Sequence, residues 1–215
     1  HQVVWERLLR FSGNRSRSEL LIDIGLGKRI ATIVAKRLVT LLSEETGEKP
    51  DALLLTRERF TAQDSLAQGV VTLDGSENAS VHYSSCCRPI PGDAIVGYLG
   101  RGEGLVVHTA ECPVASKLQA KDSERFIAVD WADEPVRPFE VQVLASVVNG
   151  KGVLARVAAA LANAEADITH IDMGQDGAQD ATDLRFVIAV RDRAHLDVAL
   201  RNLRRTASVL RAERT

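Results

Sequence analysis

The three cysteines of this chain are confined to two neighbouring segments, Cys86-Cys87-Arg88-Pro89-Ile90-Pro91-Gly92-Asp93 and His108-Thr109-Ala110-Glu111-Cys112. A single reduced thiol is ordinarily a small core hydrophobe, so scattered cysteines would constrain little. Three converging on one loop system, beside a histidine, point to a metal ion, a redox site or a tightly built fold. Three readings stay open: a closed zinc site of Cys86, Cys87, His108 and Cys112; reduced thiols that pack a small domain; a redox pair. The four-residue step from His108 to Cys112 can place imidazole and thiolate on one side of the backbone if a helix starts after the strand 105–108. Cys86 and Cys87 are adjacent rather than spaced as C-x-x-C, which makes it harder for both sulfurs to reach one ion at about 2.3 Å.

An odd number of cysteines argues against a secreted disulfide framework, and no apolar run approaches the roughly 18 residues that would span a membrane. No secretory signal is visible, and the expectation is a cytoplasmic protein with no membrane partner. The chain opens at His1 inside a helical pattern without an initiator methionine, and is expected to be a piece of a longer protein. Its formal net charge of −2 gives no global basic field that demands nucleic acid, although local basic stretches remain.

The length of 215 residues suits two or three small modules. Residues 1–45 read as helical: Leu8, Leu9 and Phe11 end a first helix, Ser16 or Ser18 caps a second, and Gly25 to Gly27 breaks to a third. In the third, Ile30, Ile33, Val34, Leu38 and Leu41 recur at helical steps, leaving Lys28, Arg29, Lys36 and Arg37 for the outer side. These four basic residues are open to two readings, a solvated face or a phosphate-contacting surface. Residues 46–77 read as a linker and the start of a hairpin. Val70 to Leu73 and Ala79 to Tyr83 are expected as two strands around the turn Asp74-Gly75-Ser76-Glu77. A module at 78–133 continues with a strand pair, 94–99 and 105–108, around a glycine-rich turn. A short helix opening at Pro113 and a strand 126–131 complete it.

Beyond Pro135 and Pro138, at 134–215, the order of elements is explicit. Glu140 to Val148 is apolar and β-branched, and Gly152 opens a helix with Val153, Leu154, Val157, Ala158 and Leu161 on one face. Residues 168–173 and 184–190 read as strands, Leu196, Leu200 and Leu203 mark a second helix, and 209–212 a last strand. The result is a ferredoxin-like βαββαβ module. The fold class is therefore α+β, with a helical segment, a small mixed α/β cysteine-containing domain and the ferredoxin-like domain.

The βαββαβ order, with the loop Asn149-Gly150-Lys151-Gly152-Val153-Leu154 between first strand and first helix, resembles the ACT domain, a regulatory ligand-binding and dimerising module. The typical Asp-x-x-Gly-x-Leu of that loop is altered here: Asn149 keeps a hydrogen-bonding side chain and loses the charge that would pair with an amino group. A helix N-terminus near Gly152 and Val153 can still receive a carboxylate, so two readings stay open for this domain: an amino-acid ligand, as the resemblance implies, or a fold kept for packing or protein contact alone. The whole set is more specific still. Gly25-Leu26-Gly27-Lys28-Arg29, the Cys-Cys-x-Pro-x-Pro-Gly-Asp segment, the downstream His-x-x-x-Cys and a terminal ACT domain together resemble the carboxy-terminal regulatory half of the RelA/SpoT family of (p)ppGpp synthetases/hydrolases. In family terms the middle module is the conserved-cysteine, zinc-finger-like or ribosome-intersubunit domain.

The resemblance implies a stringent-response regulator whose upstream catalytic half works with magnesium or manganese. Here no histidine precedes an aspartate, and there is no P-loop, so this part is expected to be non-catalytic. It implies as partners the ribosome and its RNA, uncharged tRNA, the protein's own catalytic half and a second copy through the ACT domain. Docking on RNA calls for cations on rigid elements. The candidates are Arg88, Arg101, Lys117 and the pairs Lys28/Arg29 and Lys36/Arg37. For each the alternative is a solvated charge, and for Arg88 also an internal bond to Asp93. Arg201, Arg204 and Arg205 read as a dimer rim or solvated face. Three roles compete: ribosome docking, amino-acid sensing through the ACT domain, and a dimerising or intramolecular clamp.

Overall fold

A computed structural model describes residues 2–46, 70–77, 80–100, 104–173 and 181–215. Most of the stretch read as a linker, and the tip of the glycine-rich turn with Arg101, lie outside the described residues. The chain divides into two compact units, His1–Ser84 with Ala94–Asp133, and Ser85–Asp93 with Glu134–Thr215. No described helix is long and apolar enough to cross a membrane.

In the first unit, α1 (Gln2–Ser12) buries Val4, Leu8 and Phe11, the stripe that a helical period draws from this sequence. Helix α2 (Arg17–Gly25) is capped by Ser16, whose hydroxyl accepts the Glu19 N–H, while the Glu19 carboxylate accepts the Arg15 N–H at 2.6 Å. Two otherwise unpaired donors of the helix start are thus satisfied by a pair of side chains. Helix α3 runs Ala31–Thr46, so Lys28 and Arg29 precede it rather than lie on it.

The strands are β1 (Val71–Leu73), β2 (Val81–Tyr83), β3 (Ile95–Gly100), β4 (Gly104–Thr109) and β5 (Phe126–Trp131), with α4 (Pro113–Lys121) and a short 3₁₀ turn, Ser123–Arg125, before β5. Their order in the sheet is β1-β5-β3-β4-β2. Strands β3 and β4 form the expected antiparallel pair, closing at Gly100 and Gly104. The expected pairing of β1 with β2 does not form: β1 runs parallel to β5 at one edge and β2 parallel to β4 at the other. The turn between them folds on itself, with the Glu77 carboxylate accepting the N–H groups of Asp74 and Gly75 and the Asp74 carboxylate accepting from Ser76. Two three-residue strands cannot sustain a hairpin alone, and each gains more from a longer partner that carries Leu73 or Val81 into the core. Leu8, Phe11, Leu20, Ile33 and Leu41 of the helices share that core with Leu73, Val81, Leu105, Val107 and Val129 of the sheet.

In the second unit, β6 (Phe139–Val148), α5 (Val153–Ala162), β7 (Asp167–Met173), β8 (Ala181–Val190), α6 (Arg193–Arg205) and β9 (Val209–Arg214) follow the expected βαββαβ order. The sheet order β7-β8-β6-β9, antiparallel throughout, is the ferredoxin-like arrangement. Alternate residues Phe139, Val141, Val143, Ala145 and Val147 of β6 are buried, as the period of two requires. Helix α5 buries Val153, Val157, Ala160 and Leu161, whereas Leu154, expected on that face, is 41% exposed. Two residues after Gly152, Leu154 has already turned away from the Val153–Val157 line.

Gly104 is where side-chain volume is least tolerable: its φ is +77°, and an added Cβ would press on the backbone carbonyl of Ser80 and stand 3.1 Å from the carbonyl oxygen of Lys28. Gly104→Ala is expected to cost about 2 kcal/mol or more in urea denaturation, from left-handed strain and a clash that no rotamer relieves. Gly25→Ala, where a Cβ meets nothing within 4 Å, is expected to stay within about 1 kcal/mol of the parent.

Candidate functional site

The two ends of the Ser85–Asp93 loop are held beside β4. The Ser84 N–H donates to the Val107 carbonyl at 2.9 Å, and the Ala110 N–H donates to the Ala94 carbonyl at 2.8 Å. At the end of β4 the chain turns tightly, the Cys112 N–H donating to the Thr109 carbonyl, and Cys112 becomes the N-cap of α4 with Pro113 in its first turn. A strand end and a helix start thus carry His108 and Cys112. On the loop side, the turn through Cys86 and Cys87 runs into Arg88, whose φ is +42°. The ligand atoms of Cys86, Cys87, His108 and Cys112 all lie within 4.8 Å of one another.

A tetrahedral ion with bonds of about 2.3 Å to sulfur sets neighbouring sulfurs roughly 3.8 Å apart, so a contraction of about 1 Å or less would close this cluster. Three sulfurs and one imidazole are a donor set of structural zinc sites, and none of the cysteines is in a disulfide. His108 and Cys112 are buried, Cys87 half-buried and Cys86 exposed. Burial lowers the pKa of His108, favouring the neutral imidazole that a metal ion needs. The residues present therefore fit zinc, and adjacency of Cys86 and Cys87 is no obstacle once the backbone turns between strand and loop.

The loop is clamped within its own unit. Arg214 of β9 grips both carboxylate oxygens of Asp93, at 2.8 and 2.6 Å, and also donates to the carbonyls of Cys87 and Arg88. Arg88, an alternative partner for Asp93 on sequence grounds, instead donates to Glu140 at 2.8 Å. The Arg193 N–H donates to the Pro91 carbonyl at 2.9 Å. Arg214 lies 121 residues from Asp93, and no local signal marks it.

The basic candidates separate. Lys28 and Lys117 are exposed, and Lys36 is half-buried. Arg37 is half-buried too, its guanidinium 5.2 Å from the ring centre of Phe11. The outer position expected for Arg29 is overturned: it is 4% exposed, with Asp23 3.9 Å from its Nε. Preceding α3 rather than riding on it, Arg29 is turned inward where the Lys28 and Arg29 N–H groups bond the Asp23 carbonyl. Arg201, Arg204 and Arg205 are exposed on α6, with Arg204 donating to the Ala212 carbonyl.

In the Asn149 to Leu154 loop, the Asn149 amide oxygen accepts the Thr182 hydroxyl at 2.6 Å. Gly152, left-handed at φ +74°, is the N-cap of α5, and the Gly150 carbonyl accepts the Val153 N–H. Lys151 is exposed, and its carbonyl accepts from Arg156 at 3.3 Å.

Comparison with known proteins matches residues 71–132 to the RelA/SpoT RIS domain and residues 135–214 to an ACT domain. The bifunctional (p)ppGpp synthase/hydrolase SpoT of Escherichia coli K12 is 29% identical over 91% of this chain and 25% of its own length. The GTP pyrophosphokinases of Haemophilus influenzae and E. coli K12 are 26% and 27% identical, over 89% and 91% of this chain and 26% and 27% of theirs. The chain thus spans about a quarter of the length of the curated relatives it matches. Among solved structures, the ACT domain of a GTP pyrophosphokinase from Chlorobium tepidum covers 36% of this chain and 99% of its own at 15% identity and a TM-score of 0.32. A RelA/SpoT RIS domain followed by an ACT domain, in a stretch that aligns with these relatives over 89% to 91% of its length, makes this chain a member of the RelA/SpoT family, corresponding to its carboxy-terminal regulatory region.

Proposed function

We propose that this chain is the non-catalytic control region of a cytoplasmic (p)ppGpp synthetase/hydrolase. Its RIS domain holds a structural zinc ion and docks on ribosomal RNA and uncharged tRNA, passing that state to a catalytic half of the same protein. The observation that carries the reading is the convergence of Cys86, Cys87, His108 and Cys112 at one point of the matched RIS span. A closed zinc site makes a small module rigid, and rigidity suits it to recognising RNA by shape, with cations neutralising phosphates. The exposed Lys28 and Lys117 are the best placed of the described candidates, and Arg101 joins them on sequence grounds. Arg88, engaged by Glu140, contributes less. The ACT domain supplies the regulatory partner surface, with Asn149 to Leu154 as the loop for an amino-acid ligand.

A second reading, dimerisation of the ACT domain, is favoured by β7. All seven of its residues are exposed although it is an edge strand carrying Ile168, Ile171 and Met173. An edge strand with an open apolar face is a template for a second copy.

The purified, reduced chain is expected to hold about one zinc per chain by elemental analysis and to lose it in Cys112→Ser. Arg214→Ala, which leaves every ligand in place but frees the loop, is expected to weaken zinc affinity by about 10- to 100-fold in chelator competition. Zinc-free parent protein from a zinc-replete preparation would remove the metal from the proposal. Co-sedimentation with ribosomes bearing uncharged A-site tRNA is expected to weaken as salt rises. Lys117→Glu and Lys28→Glu should each lower affinity and flatten the salt slope by roughly one unit for every phosphate no longer neutralised. No binding at low salt would defeat the docking reading. In sedimentation equilibrium, Ile171→Lys is expected to convert a concentration-dependent dimer into a monomer; a parent chain that is monomeric throughout would dispose of the dimer.

A further inference from the structure

A second site lies in the first unit, independent of the zinc cluster. The end of α1, the turn into α2 and the segment before β5 enclose a cavity of about 410 Å³, walled chiefly by Arg10, Asn14, Arg15, Glu19, Asp122 and Arg125. Arg125 is 2% exposed: its Nη1 donates to the Tyr98 hydroxyl at 3.1 Å, its Nη2 donates to the Leu99 carbonyl, and Asp122 stands 3.7 Å away. Its Nε, buried, has no hydrogen-bond partner among the described residues. Arg29 does not line the cavity, but its charge is felt by Arg125 and Glu19, which do.

Arg29 is less satisfied still. All three of its guanidinium nitrogens are buried without a hydrogen bond among the described residues, and its ion pair with Asp23, at 3.9 Å, is too long to count as one. Asp23 itself accepts from the Asn14 amide at 2.7 Å, and the Asn14 amide oxygen is another buried atom without a partner among the described residues. Burial and the neighbouring Arg125 both push the pKa of Arg29 down, while Asp23 opposes them. A guanidinium kept for structure alone is normally given acceptors for its donors, as Arg125 is for two of its nitrogens by the Tyr98 hydroxyl and the Leu99 carbonyl. Two buried guanidinium groups near each other thus keep donors without a hydrogen bond among the described residues, each with a carboxylate no nearer than 3.7 Å. Around this place the guanidinium groups of Arg10, Arg15, Arg29 and Arg125 outnumber the carboxylates of Glu19, Asp23 and Asp122.

We propose that this cavity binds the phosphate or diphosphate group of a small phosphorylated ligand, with Arg125 at its floor, Arg10 and Arg15 at its mouth, and the buried charge of Arg29, near Arg125, adding to the field without lining the wall. The planar guanidinium fork matches phosphate oxygens two at a time. The volume falls within the range of small-ligand pockets, and a buried floor is out of reach of a polymer backbone. Glu19 and Asp122 on the same wall disfavour an extended polyanion and suit one compact anion.

The test uses the full chain in chloride buffer free of phosphate and sulfate. It is titrated calorimetrically with sodium pyrophosphate, with orthophosphate and with a nucleoside diphosphate, each against sodium chloride of equal ionic strength. Saturable binding at one site per chain is expected, and affinity should fall at least ten-fold in Arg15→Glu, an exposed position whose change leaves the core intact. Arg29→Met is expected to weaken the response at least three-fold while the ligand-free melting temperature holds or rises, because a buried charge without hydrogen bonds has been removed; a purely structural Arg29 would make the same variant melt lower. Tighter binding of the nucleoside diphosphate than of pyrophosphate assigns the site to a nucleotide, and the reverse order assigns it to the phosphate group alone. No response beyond that of chloride, or a response unchanged in both Arg15→Glu and Arg29→Met, overturns the proposal. Should Arg29→Met fail to fold, Arg15→Glu decides it.

Discussion

The carboxylate of Asp93 holds the cysteine loop in shape. It accepts the Ile90 N–H at 3.0 Å, closing the Pro-x-Pro-Gly turn, and both terminal nitrogens of Arg214. The Asp93 side chain is 7% exposed and that of Arg214 23%, so solvent screens the pair only in part. Breaking a buried pair costs about 3 to 5 kcal/mol, and partial exposure of Arg214 puts this one at the lower end. The same guanidinium reaches the carbonyl of Arg88, whose side chain is engaged by Glu140. Arg88 therefore keeps a positive φ, unusual for a side-chain-bearing residue, because bonds on its backbone and its side chain over-determine it. That fixed turn directly follows the two consecutive cysteines of the cluster.

Five arginines meet a different fate in the fold from the two exposed lysine candidates, although all are equivalent as charges in the sequence. Arg214, Arg125, Arg29, Arg88 and Arg37 are turned inward or engaged, on carboxylates, carbonyls and an aromatic ring, while Lys28 and Lys117 stay in solvent. A guanidinium is weakly hydrated and planar, so it tolerates burial; an ammonium is strongly hydrated and does not. The RNA contact proposed above accordingly rests on lysines, and the proposed anion site on a buried arginine.

The second unit was legible in the sequence because its information is local. Strand β6 alternates with a period of two, α5 and α6 carry apolar stripes at helical spacing, and turns separate them at the expected places. Pro113 at the start of α4 and Ser16 at the cap of α2 were equally readable. The four metal-site candidates could be named because three of them are the chain's only cysteines, and rarity is a property of the sequence.

Tertiary structure decided where pattern and propensity were too weak to choose. Strands β1 and β2 are three residues each, below the length at which a hairpin holds itself together, so their partners were set by the longer β4 and β5. Which arginine takes Asp93 depended on β9 returning beside the loop, and whether Arg29 faces water depended on where α3 begins. The sequence by itself determined the local periods, the caps and the identity of the candidate ligands; the fold decided pairing, burial and the convergence of those ligands. The reason is physical: periodicity is written into neighbouring residues, whereas the desolvation of a charge and the meeting of side chains far apart in sequence exist only once the chain has closed on itself.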